Sequence, residues 1–137
     1  MAAVGGDIIE VTFNSPDGNV GSGVFFAKAA EDSTFNLGGF RNSDDDNMID
    51  GSGKAIYQKN RSRWSFEFIT SWDMNTAEEM EKLVALSNSN LEATFTIAHT
   101  NGTIYQGTGT VVGDLKGNGN TAQIPVKLSG GGILQQI

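Results

Sequence analysis

Apolar and polar residues alternate with a period of two along most of this chain, and a period of 3.6 appears once. The alternation is strongest around Ser62 to Trp72. There Ser62, Trp64, Phe66, Phe68, Thr70 and Trp72 fall on one face, and Arg61, Arg63, Ser65, Glu67, Ile69 and Ser71 on the other. The pattern predicts a long strand with one face in a core. Burying Trp64, Phe66, Phe68 and Trp72 at about 1.5 to 3 kcal/mol each makes this strand the main anchor of the domain. A first strand is predicted over Asp7 to Phe13, with Ile9, Val11 and Phe13 opposite Ile8, Glu10 and Thr12. The cluster Ser15-Pro16-Asp17-Gly18-Asn19 turns it towards a second strand at Gly23 to Lys28. A short run, Thr34 to Leu37, is broken by Gly38-Gly39.

The helical period runs from about Thr76 to Ser87, where Ala77, Met80, Leu83 and Val84 share a face and Glu78, Glu79, Glu81 and Lys82 stay wet. Asn75 is a suitable N-cap, the acids sit in the first turn where the helix dipole favours them, and Asn88 can end the helix. Leu91, Ala93, Phe95 and Ile97 then alternate with polar neighbours, and Asn101-Gly102 signals a hairpin into Thr103 to Val112. A last strand, Ala122 to Leu128, points Ala122, Ile124, Val126 and Leu128 inward. Pro125 cannot donate to a ladder, so that strand is expected at an edge unless the missing donor faces outward. The fold class that follows is mainly β: a β-sandwich or partly rolled barrel with one packed α-helix, in a single domain over 1–137.

One stretch does not fit a core. Asn42 to Gly53 is acidic and glycine-rich, far longer than the roughly 4 to 6 residues of an ordinary connection, and its Asp50-Gly51 and Ser52-Gly53 steps are turn chemistry. It reads as an extended arm hung from the long strand, with Ile56 and Tyr57 on its returning side.

Composition narrows the function. Nine Lys plus Arg against 16 Asp plus Glu give a net charge of -7, which argues against binding DNA or an anionic membrane. The chain has no cysteine, which removes disulfides and thiol nucleophiles, and its start lacks the basic and apolar regions of a signal peptide, so synthesis in the cytoplasm is expected. Catalytic groups are few. The single histidine, His99, sits at a hairpin turn, and most acids fall in the arm or on the outer helix face, where no cleft forms between them. Asp46, Asp50 and Gly51 match part of a calcium loop, but Met48 and Tyr57 stand where acids are required. Gly53-Lys54 is followed by Ala55 and lacks the preceding glycine of a phosphate loop. Neither a metal nor a cofactor is expected.

The series Phe35-Asn36-Leu37-Gly38-Gly39-Phe40-Arg41, the acidic arm, Asn60-Arg61-Ser62-Arg63-Trp64-Ser65-Phe66-Glu67, a capped helix, the turn Val112-Gly113-Asp114-Leu115-Lys116-Gly117-Asn118-Gly119-Asn120 and the terminal Ser129-Gly130-Gly131-Gly132 resembles bacteriophage tail tube proteins over nearly the whole chain. The resemblance implies a non-enzymatic subunit of the virion tail, made in the host cytoplasm. Its sheets would join edge to edge into hexameric rings with a continuous inner β-barrel, and the rings would stack into a tube through which DNA passes without specific binding. A surrounding sheath and tail terminator or baseplate proteins are implied neighbours; membrane binding is not. By the same analogy the arm bridges to the next ring, with Asn42, Asp44, Asp45, Asp46, Met48, Ile49 and Asp50 at the interface and Arg61 and Arg63 as partners for its acids. Six chains of -7 carry -42 per ring, which implies an acidic lumen. Related tubes of secretion systems and tailocins share the resemblance. The residues alone also leave open a carbohydrate-binding sandwich with Trp64 or Trp72 as an exposed platform, and a glycosidase-like enzyme with acids in a cleft.

Overall fold

In the computed structural model, which describes residues 6–28, 33–42, 47–72 and 78–137, the alternating segments become strands whose apolar positions converge on one core. The elements are β1 (Ile8–Asn14), β2 (Ser22–Phe26), β3 (Thr34–Asn36), β4 (Gly39–Asn42), β5 (Met48–Ile49), β6 (Ala55–Ile56), β7 (Lys59–Ser62), β8 (Trp64–Ser71), α1 (Glu78–Asn88), β9 (Ala93–His99), β10 (Ile104–Val112), β11 (Gln123–Gly130) and β12 (Gln135–Gln136). Eight strands form one antiparallel sheet in the order β2-β1-β9-β10-β11-β8-β3, with β12 also paired to β10.

The sheet folds over on itself at β10, whose first part, Ile104 to Gly109, pairs with β9 and whose end, Thr110 to Val112, pairs with β11. Glycine is required at this corner. A side chain on Gly109 would run into the Ser129 carbonyl, and one on Gly130 into that of Thr108. The other corner lies after β2, where Ala27 bridges Thr70 and the Lys28 amide donates to the Ile69 carbonyl at 2.8 Å. The product is a β-sandwich rolled part of the way to a barrel, without closure. Phe13 stacks on Phe25 at 5.1 Å in one half, Phe66 on Phe68 at 5.2 Å in the other, and Trp64 meets Phe95 edge-on at 6.4 Å between them. Helix α1 adds Leu83 and Leu86 to this core.

Several expectations are corrected by tertiary geometry. In β1, Val11 and Phe13 are buried as predicted, but Ile8 is buried and Ile9 is 47% exposed. A bulge between Ile8 and Glu10 in the pairing with β9 shifts the phase of the alternation there. Ile8→Ala is therefore expected to cost about 2 to 5 kcal/mol and Ile9→Ala no more than about 0.5, as read from urea midpoints. The helix buries Leu83 and Leu86 and turns Val84 outward, because its inward stripe continues by threes from Met80. The predicted cap Asn75 and the start of the helix at Thr76 and Ala77 lie outside the described residues. Leu91 is half exposed and precedes β9. The Asn101-Gly102 hairpin forms, with only Gly102 at positive φ (89°) and the His99 amide and Thr103 carbonyl closing a three-residue loop. Pro125 lies in an interior strand, in the half of β11 that β10 does not reach. There a missing amide hydrogen disturbs the ladders least.

Candidate self-assembly interface

The arm is a continuation of the core sheet. In the β3–β8 ladder Thr34 faces Glu67, Phe35 faces Phe66 and Asn36 faces Ser65. In the β4–β7 ladder Gly39 faces Ser62 and the pairs run on to Asn42 opposite Lys59. Every step forward on one strand is one step back on the other, so the two ladders share one register and form a single ribbon from Thr34 to Asn42 and back. What sequence alternation reads as one strand through Ser62 and Trp72 is interrupted at Arg63, for a local reason. Gly38 and Gly39 adopt φ of 81° and 88°, and the chain there turns aside to pair with the C-terminal segment: the Leu37 carbonyl accepts the Leu134 amide at 3.0 Å and Gly38 bridges Ile133. A side chain on Gly38 would collide with the Trp64 amide, the Ser62 carbonyl and the Gly132 carbonyl.

Beyond this stem comes a second tier, in which Met48 faces Ile56 and Ile49 faces Ala55. Its turn is built on Asp50, whose Oδ1 accepts hydrogen bonds from the Ser52 amide (2.8 Å), the Ser52 hydroxyl (2.6 Å) and the Lys54 amide (3.0 Å). These bonds, the Ser52 hydroxyl first, hold the Asp50 carboxyl below its ordinary value of 3.8. A lowered pKa means the ionised form supports the turn above that value, and the support is lost as the pH falls through the lower folded pKa. The Ser52 and Lys54 amide resonances are expected to titrate together with a midpoint below 3.8, and Asp50→Asn to abolish that titration.

The arm presents apolar surface. Ile49 is 74% exposed and Met48 62%, with Ile56 and Tyr57 beside them on the returning strand, and Phe40 is 59% exposed at the stem. Arg61 lies over the Phe40 ring at 5.1 Å, while Arg41 turns inward to the Gly38 and Phe40 carbonyls and Asn36 Oδ1. Of the residues expected at the interface, Asn42, Met48, Ile49, Asp50, Arg61 and Arg63 are exposed on or beside the arm; Asp44, Asp45 and Asp46 lie outside the described residues. Sequence reasoning missed Phe40 and Ile133, which flank a recess of about 180 Å³ at the base of the stem. The signal for Phe40 was its place in a hairpin opposite a cation.

The open edges are the second component. The half-sheet β2-β1-β9-β10-β12 ends in β2 on one side and β12 on the other, and among the described residues neither strand is laddered to a second strand, although Ala27 just after β2 bridges Thr70 and Ile133 just before β12 bridges Gly38. Apolar side chains accompany both edges: Val24 and Phe26 on β2, and Ile137, 69% exposed, whose amide donates to the Ile104 carbonyl at 2.9 Å.

His99 Nδ1 accepts the Asn101 amide at 3.1 Å within its turn, and a groove of about 490 Å³ on the other half-sheet is crossed by an ion pair, Lys127 to Glu67 at 3.5 Å. Trp64 is fully buried and Trp72 half-buried. No protein-family model matches the chain, and no curated protein matches it significantly.

Proposed function

We propose that this chain is the subunit of a bacteriophage tail tube: a structural protein that closes into six-membered rings, stacks them into a hollow conduit for the viral genome, and performs no chemistry. The observation that carries this reading is the arm, whose stem extends the core ladder to Asn42 and Lys59 and whose second tier holds Met48, Ile49, Ile56 and Tyr57 with their apolar surface in solvent. Clustered exposed apolar groups mark contact surfaces, and a contact held away from the body of the domain suits a bridge between stacked copies. The two free edges support the lateral contact, since unpaired strand edges invite further strands and head-to-tail pairing that closes makes a ring. Trp64, one of the two rings on which a carbohydrate-binding reading would rest, is buried, and Trp72, the other, is half-buried.

The test is microscopy of the purified protein in negative stain across a concentration series. Rings at low concentration and tubes at high concentration are the expected result. A particle that stays monomeric throughout, with no sedimentation change, overturns the proposal.

A further inference from the structure

The chain carries -7, yet one broad surface of it is almost free of charge. On the half-sheet β2-β1-β9-β10-β12, inward Val11, Phe13, Phe95 and Ile97 are buried, so the alternate residues form the outer face. The register sets them in rows: Asn14 faces Thr94 and Thr94 faces Thr108; Thr12 faces Thr96 and Thr96 faces Gln106. The next row holds Glu10, opposite Ala98, and Glu10 is the one charged residue in these rows. No lysine or arginine stands on them. The arm leaves from the opposite half-sheet, and α1 packs its Leu83 and Leu86 into the core and touches this half-sheet at its β2 margin, where Glu78, Glu79 and Lys82 lie beside the strand and the Lys82 ammonium is held on the Val20 carbonyl.

We propose that this face, hydroxyl- and amide-bearing across β1, β9 and β10 and apolar at its β2 edge where Val24 and Phe26 continue the rows, is the inner wall of the tube, and that double-stranded nucleic acid slides past it without being held. The proposal rests on the tube reading and changes one part of it. The lumen is not lined by the chain's full acidity, because its wall carries one acidic side chain per subunit, Glu10. Two arguments select this face. It belongs to the half-sheet whose end strands, β2 and β12, have no second ladder among the described residues, so joining copies laterally through them makes it one continuous surface. It also meets the electrostatic requirement of a conduit. Each lysine or arginine that neutralises a phosphate releases counterions and adds binding free energy, so a wall that lets a polyanion pass must have no cations. The other surfaces fail this requirement: Lys127 stands on the opposite half-sheet, and Arg61, Arg63, Lys54 and Lys59 on or beside the arm. At a Debye length of about 8 Å in physiological salt, the acids elsewhere on the chain contribute little at the wall.

Because the chain has no cysteine, single cysteines report location cleanly. Gln106→Cys marks the proposed wall and Glu67→Cys the opposite half-sheet; both positions are exposed. Each variant is treated with a small maleimide and with a maleimide coupled to a large globular protein, before and after tubes form. Before assembly both cysteines are expected to react with both reagents. After assembly Gln106→Cys should keep its reaction with the small reagent and lose that with the bulky one, while Glu67→Cys keeps both. Tubes in which Gln106→Cys stays open to the bulky reagent overturn the wall assignment and leave the tube reading standing; a wild-type chain that forms no tubes overturns both. In a second measurement, Gln106→Lys tubes are expected to retain double-stranded DNA through a low-salt wash and wild-type tubes to release it. Equal retention by the two would overturn the sliding wall.

Discussion

Replacing residues 43–58 with a two-residue turn is expected to abolish tube growth and leave the fold intact. Asn42 and Lys59 face each other at the end of the stem, so a short hairpin loop closes the gap between them. None of the described residues among those removed belongs to the buried core, which is assembled from β1, β2, β8, β9, β10, β11, α1 and flanking residues. Far-ultraviolet circular dichroism and the thermal midpoint should therefore stay close to those of the full chain. The proposed lateral contacts lie on β2 and β12, so small rings should persist while elongation stops. Sedimentation and negative-stain images of the same sample separate the outcomes: unfolding would show that the arm supports the core, and undiminished tubes would falsify its role as the bridge.

The largest stability effect is expected at Trp64. Its side chain is fully buried, meets Phe95 across the two half-sheets, and donates its indole N–H to the Thr108 carbonyl at 3.1 Å. Its own carbonyl accepts the Ser129 hydroxyl at 3.0 Å. Trp64→Ala removes both the aromatic volume and the indole donor, and buried aromatic-to-alanine changes cost about 3 to 5 kcal/mol. That is a large share of the roughly 5 to 15 kcal/mol that keeps a domain folded. Trp64→Phe should cost less, because it retains a ring against Phe95 and gives up the bond to Thr108. Urea unfolding of the two variants beside the full chain checks the order, and equal midpoints for all three would show that the core repacks around the loss.

The strands were legible where one face is buried along the whole element. Trp64, Phe66, Phe68 and Thr70 alternate in sequence and are buried in space, as are Ala93, Phe95 and Ile97, because burial on one side of a pleated strand leaves a period of two. Where a feature depends on a distant partner, the chain carries no local mark of it. The bulge that buries Ile8 arises in the pairing with β9, far along the sequence, and the break at Arg63 comes from Gly38 turning towards Ile133. The arm was legible as an excursion but not as a ribbon. Met48–Ile49 and Ala55–Ile56 are two-residue strands, too short for any alternation, and the shared register of stem and core is visible only once both ladders are in place. The nearly uncharged face is legible only after folding, since its rows are drawn from three strands, β1, β9 and β10, whose neighbouring residues in sequence point inward.

The continuous register of stem and core has a mechanical consequence. Tension at the tip passes down β7, through Arg63 and lengthwise into β8, which is matched to β11 over eight residue pairs from Trp64 to Ser71. A lengthwise pull loads those pairs in shear, all at once, where a sideways pull would peel them singly. Sliding β8 by one step would also drag Trp64, Phe66 and Phe68 out of register with the core, so the stem is anchored at a strand of the longest ladder among the described residues.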